Sequence, residues 1–339
     1  MIGRITRRLE ARSGVRYASS AVVFDVDGVL IRGAETVESA PGVLRGLRER
    51  DVPFMLMTNG GGYHESTRAK KLTERFGVEI YDDQIIQSHT PMRELVPKYK
   101  DEPVLLVGKR YEHLLHLAKE YGFKYPVSIE QYHKEFPLLY PDMDPVDCEA
   151  LPSDLDLKQQ PIRAVLALTD PLMWGRELQI CCDILGSNGL PGSVTSHQGV
   201  PLYSSCADFV YAAEYEASPR FGSGAFVSAL EALYEELHEG KGLSDITRYG
   251  KPWHRTFDYA YRRLQESLGD QSLKRVYMVG DNAETDIKGA NDAGDPWFSV
   301  LTRSGLFKGS GNHPEHPGRE VIDDVSGLLH IVDAFENEN

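Results

Sequence analysis

Cysteine is scarce in this chain of 339 residues, with four at Cys148, Cys181, Cys182 and Cys206. None stands in a C-x-x-C pair, so neither a zinc site nor a disulfide framework is signalled. No run of 18 apolar residues occurs, and no membrane span is expected. Positive charge is in deficit, with 37 Lys and Arg against 51 Asp and Glu and a net charge of −14. That balance argues against a general nucleic-acid binder, which needs a basic patch or stripe. Neither G-x-G-x-x-G nor G-x-x-x-x-G-K-[ST] occurs, which removes support for dinucleotide and P-loop readings. No internal repeat is evident.

The first 20 residues differ from the rest. They carry five arginines and one acid, Glu10, so +4 of the total lies here and −18 in the remainder. The segment lacks the apolar stretch of a secretory signal. An Arg-rich, Ser-containing, acid-poor start has the composition of a mitochondrial transit peptide. The plain alternative is a disordered basic arm on a cytoplasmic protein.

The length predicts about two domains. The apolar pattern predicts a strand over 21–26, a helix over 41–49, a strand over 53–59 and a helix ending at Gly77. A helix closed by Gly269 and strands at 276–280 and 297–301 repeat the alternation near the C-terminus. Strand–helix alternation is the mark of a parallel sheet with crossover helices. Between them come a strand at 102–108, a helical face from Tyr111, and a loop at 140–157. That loop holds six acids, three prolines and no base. A strand at 162–168, a helix from Trp174 and a Gly-, Ser- and Pro-rich stretch at 189–224 follow. The expected organisation is an α/β core, 21–101 plus 224–335, interrupted by a smaller α/β insert at 102–223. A basic segment (1–20) and a disordered tail (336–339) flank it.

Three of the expected strands end in chemically useful residues. The first ends in Asp25-Val26-Asp27-Gly28, the second in Thr58-Asn59-Gly60, a later one in Gly280-Asp281-Asn282 with Asp286 beyond. In open α/β sheets ligands bind outside the carboxyl ends of the strands. Four carboxylates converging there would repel one another unless a cation neutralised them. Mg²⁺ suits such oxygen ligands together with a substrate phosphate. Lys251, in "YGKPW", adds a point cation. The set suits phosphoryl transfer, one Asp attacking phosphorus and a second moving the proton. Taken alone, Asp25-x-Asp27-Gly28 reads more often as a structural turn than as a site. It lacks the later ligands of a calcium loop, whose Gly stands sixth rather than fourth.

"FDVDGV", "LMTN", "GKP" and "VGDNAETDIKGANDAG" resemble, in order, the four motifs of the haloacid dehalogenase-like (HAD) hydrolases. The position of the insert and the form of the fourth motif are similar to subclass IIA. "TNGGG", "DQIIQSHTP" and the acidic loop are similar to the cat-eye-syndrome critical region branch, which is often mitochondrial. The resemblance spans residues 20–335 and implies a Rossmann-like, three-layer parallel-sheet core with an inserted α/β cap domain. By resemblance, Asp25 is the nucleophile and a Mg²⁺ ligand. Asp27 is the general acid/base and a ligand through its carbonyl. Thr58, Asn59, Gly60 and Lys251 bind the phosphoryl group. Asp281 is the third metal ligand, with Asp286 and Asn282 in support.

The implied activity is a Mg²⁺-dependent phosphatase that hydrolyses a small phosphorylated metabolite through an aspartyl phosphate. Relatives of this kind include homodimers. A non-catalytic binding protein of the same fold, and a phosphoryl transferase linked to glycerophospholipid metabolism, are the competing readings.

Overall fold

The structure, a computed structural model, describes residues 19–211, 218–269 and 273–338. The expected basic segment therefore lies, up to residue 18, outside the described residues. The chain divides into two compact units. One comprises the chain up to Thr58, Glu65–Gln87 and the chain from Lys251 onward. The other comprises Asn59–His64 and Ser88–Gly250.

The first unit is built on a six-stranded sheet in which every pairing is parallel. Its order is Glu320–Ile322, Trp297–Thr302, Arg275–Gly280, Ser20–Phe24, Phe54–Thr58 and Ile85–Gln87. The strands are apolar on both faces because helices cover both. Alternation along Ser20–Phe24 sends Val22 and Phe24 to one face, against Leu44, Leu47, Leu72, Phe76 and Leu328. Ala21 and Val23 go to the other, against Phe257, Ala260 and Leu264. The three-layer α/β expectation holds.

The second unit has its own five-stranded parallel sheet. Its order is Ile246–Arg248, Leu202–Ser204, Ala164–Ala167, Pro103–Val107 and Tyr125–Ser128. Leu114, Leu115 and Ala118 of the Tyr111–Tyr121 helix cover one face. The Trp174–Leu185 and Ser223–Leu237 helices cover the other, and Cys181 and Cys182 are small core residues among them.

Two expected boundaries move. The expected return to the core at 224 falls in the helix Ser223–Leu237, which belongs to the second unit. Its Phe226, Val227, Leu230 and Tyr234 fill the second unit's core. The Ile246–Arg248 strand then completes the second sheet, so the chain returns at Lys251 rather than 224. The outward boundary likewise falls after Gln87 rather than 101. The expected disordered tail is also corrected, because the last helix runs Leu328–Glu338. Glu336 in it accepts from the Ser19 amide at 3.1 Å and from the buried Ser20 hydroxyl at 2.5 Å. Glu336→Ala would strand a buried hydroxyl at the start of the central strand. A loss of about 1–3 kcal/mol in urea unfolding is expected, whereas an unchanged midpoint would show the tie to be idle.

Candidate active site

Strand register assembles the site. Phe24 lies opposite both Val279 and Leu56, so Asp25, Thr58 and Asp281 follow at one edge of the sheet. The Asp25 amide extends the ladder, donating to the Val279 carbonyl at 2.8 Å. The chain then leaves strand geometry. Gly28 sits at φ +95°, in the left-handed region, and a Cβ there would lie 2.2 Å from Asp281 Oδ2. Gly305 is equally constrained, since its Cβ would lie 1.8 Å from the same oxygen. The two glycines let the backbone close around the Asp281 carboxylate.

Three carboxylates meet there, those of Asp25, Asp281 and Asp286, with ligand oxygens within 4.8 Å of one another and all three residues buried. Lys251, itself buried, places Nζ 2.6 Å from Asp25 Oδ1 and 2.7 Å from Asp286 Oδ1. The Leu306 amide donates to Asp281 Oδ2 at 2.6 Å, and the Asn282 amide donates to Asp286 Oδ2 at 3.1 Å. The Asn282 side chain caps the turn that follows, accepting from the Glu284 amide.

The electrostatics follow from burial. Desolvation pushes the Asp25 carboxyl well above the usual range, Lys251 opposes it, and Asp286 and Asp281 add to it. Burial, then the Asp286 charge, pushes Asp281 up to about 6. For Lys251, burial disfavours the ammonium, but the Asp25 and Asp286 carboxylates outweigh it and raise its pKa. Were all three buried acids ionised around the Lys251 ammonium, two negative charges would be in excess, and burial together with this repulsion raises the Asp25 and Asp281 carboxyls. This all-oxygen donor set, whose repulsion a doubly charged cation would relieve, fits a hard divalent ion.

Asp27 is set apart from the cluster. Its side chain is 67% exposed. Its Oδ2 lies 3.4 Å from the Thr58 hydroxyl, which donates to it, and 3.8 Å from the Arg68 guanidinium. The two acids that a regular strand would put on one face therefore occupy different environments, because strand pairing stops at Phe24 and the chain turns at Gly28. Asn59 and Gly60 fall beyond the unit boundary. In the second unit Asn59 Nδ2 donates to Asp208 Oδ1 at 2.9 Å. Nearby, the Gly62 amide donates to buried His89 Nε2 at 2.9 Å. That nitrogen must carry the lone pair, so Nδ1, 2.9 Å from the Tyr121 hydroxyl, carries the proton.

Sequence reasoning missed the turn after the Trp297–Thr302 strand. Ser304 donates to the Gly28 carbonyl at 2.6 Å, Gly305 makes room for Asp281, and Leu306 supplies its amide. The available signal was positional, a polar Ser-Gly following an apolar parallel strand. Arg68 was also missed, because it reads as one more charge on an amphipathic helix.

A parallel three-layer α/β unit with an inserted second unit, and a buried carboxylate–lysine cluster at the ends of its strands, defines a class of hydrolase fold. Family models described as haloacid dehalogenase-like hydrolase and HAD-hydrolase-like match residues 22–124 and 248–328. A mitochondrial hydrolase of Saccharomyces cerevisiae is 32% identical over 90% of this chain and 93% of its own length. A cardiolipin synthase (CMP-forming)/mitochondrial hydrolase fusion protein of Schizosaccharomyces pombe is 37% identical over 96% of this chain. The chain spans 55% of that protein's length. Among solved structures, a 4-nitrophenylphosphatase from Thermotoga maritima shares the fold with a TM-score of 0.63 at 19% identity, over 93% of this chain and 97% of that one. The chain belongs to the haloacid dehalogenase-like hydrolase family.

Proposed function

We propose that the protein is a Mg²⁺-dependent phosphomonoester phosphatase acting on a small metabolite. The observation that carries this is the clustering of the buried Asp25, Asp281 and Asp286 carboxyls, two of them paired with Lys251. Asp25 attacks phosphorus. The ester P–O bond breaks, its electron pair stays on the leaving oxygen, and that oxygen takes a proton from Asp27. Water then opens the aspartyl phosphate, passes a proton to Asp27, and releases phosphate with the Asp25 carboxylate restored.

Lys251 and the Thr58 hydroxyl, followed in the chain by Asn59 and Gly60, bind the phosphoryl oxygens, and Asp286 holds Lys251. Asp25, Asp281 and the Asp27 carbonyl would hold Mg²⁺, which when bound neutralises charge on the transferring group. The Arg-rich N-terminus and the two mitochondrial relatives support a mitochondrial location. The fusion partner of the fission-yeast relative makes phosphorylated intermediates of glycerophospholipid metabolism the first substrates to try.

The test is phosphate release from a panel of phosphorylated metabolites with Mg²⁺ or with EDTA. Turnover is expected only with Mg²⁺, and a panel untouched in both conditions would overturn the reading. Binding of Mg²⁺ should also stabilise the fold more at pH 8 than at pH 5. Asp281, raised to about 6, keeps its proton in the metal-free fold at low pH. Its folded-state pKa lies above the unfolded one, so metal-free stability falls as pH rises through about 6. The cation offsets that loss above this pH and competes with a proton below it.

A further inference from the structure

Asp27 is an exposed side chain at the mouth of the site, and its proposed work demands one orientation. An exposed aspartate has little to hold its rotamer. Two groups flank its Oδ2, the Thr58 hydroxyl at 3.4 Å and the Arg68 guanidinium at 3.8 Å. The first is a long contact for an O–H donor. The second sets a cation beside Oδ2, which leaves the other carboxyl oxygen to carry the proton.

The fold fixes where Arg68 stands. Glu65, Ala69, Leu72 and Phe76 form the buried stripe of the Glu65–Phe76 helix, with Ala69, Leu72 and Phe76 in the core beneath it. That packing sets the helix rotation and leaves Arg68, one residue off the stripe, at its margin with 30% of its side chain exposed. Among the described residues its single ionic neighbour is Asp27. Its Nε, shielded from solvent, has no hydrogen-bond partner there. A guanidinium that satisfied a structural network would show carboxylate or carbonyl partners at hydrogen-bond distance, as Arg303 does with Asp323 and three carbonyl contacts. Arg68 has none.

We propose that Arg68 is a positioning residue for proton transfer, its charge holding the Asp27 carboxyl toward the leaving-group oxygen. This rests on the phosphatase reading above. The step served is the first one, in which the Asp27 proton passes to the leaving oxygen as the P–O bond breaks. An alkoxide needs that proton, whereas 4-nitrophenolate departs without it.

The experiment compares benzyl phosphate with 4-nitrophenyl phosphate, using the full chain with Mg²⁺, for the unmodified protein, Arg68→Met and Arg68→Lys. Arg68→Met is expected to lower kcat on benzyl phosphate about fivefold, the scale of an exposed ion pair. The loss on 4-nitrophenyl phosphate should be markedly smaller and KM little changed, with Arg68→Lys recovering part of the difference. In an Asp27→Asn background the same change should add nothing selective to benzyl phosphate. Equal losses on both esters, or a loss confined to KM, overturn the positioning role while leaving the phosphatase reading intact. No turnover of either ester by the unmodified protein counts against the phosphatase reading and takes this one with it.

Discussion

Asp25→Asn is expected to abolish turnover, lowering kcat by roughly six orders of magnitude, the scale seen when a nucleophile is removed. Asn is nearly isosteric, and its Oδ1 can still accept from Lys251 Nζ, which lies 2.6 Å from the native carboxylate. An amide oxygen does not attack phosphorus, so the loss should fall on kcat rather than on the fold. Stability should hold or rise without metal, because burial already holds the Asp25 carboxyl far above its usual pKa and the amide carries no charge to desolvate. Phosphate release on the best panel substrate, beside a thermal melt, separates the two. Residual turnover above about a hundredth of the native rate with an intact melt would place the nucleophile elsewhere.

Lys251→Met should act on stability as strongly as on rate. It removes the Lys251 ammonium that faces Asp25 and Asp286 and leaves these buried carboxylates without that counter-charge. Breaking a buried pair from one side costs about 3–5 kcal/mol. The cost should depend on pH. The carboxyls can take up protons once the lysine is gone, and their folded-state pKa values, already raised for Asp25 and Asp281, rise further. The variant should therefore be close to native in stability near pH 5 and lose ground as pH rises toward 8. Urea unfolding at both pH values, with and without Mg²⁺, checks this. Equal destabilisation at both would mean that the lysine works through its packed stem rather than its charge.

Much of the first unit was legible because its strands are short, apolar and punctuated. Ala21 to Phe24, Phe54 to Met57 and Val276 to Val279 are unbroken apolar runs that stop at polar residues, and the helices between them show a clear period. The clustering of Asp25, Asp281 and Asp286 followed from two strand ends of the right chemistry, Asp281 and Asp286 both following Arg275–Gly280. What was not legible depends on pairing partners. Ile85–Gln87, Leu202–Ser204 and Ile246–Arg248 are three residues each, too short to carry a period, and exist as strands only because a neighbour offers a ladder. The membership of Ser223–Leu237 was hidden for a related reason. An amphipathic stripe shows that a helix packs, and Phe226 and Leu230 would have fitted either core. The separation of Asp27 from Asp25 was open in sequence because it turns on where strand geometry ends.

The discontinuity of the first unit bears on how the chain matures as it is made. Its central strand, Ser20–Phe24, hydrogen-bonds to Arg275–Gly280, about 250 residues later in synthesis, and Asp25 waits for Lys251, 226 residues on. The second unit closes at Gly250, so its sheet can be complete on the ribosome while the first is still missing the strands on one side of its centre, Arg275–Gly280 and those beyond it. Domains generally fold as units in order of emergence. Here the earliest-made strand would be among the last to find both neighbours. Until then the apolar run from Ala21 to Phe24 is a strand with an open edge, the kind of segment that invites chaperone binding during synthesis.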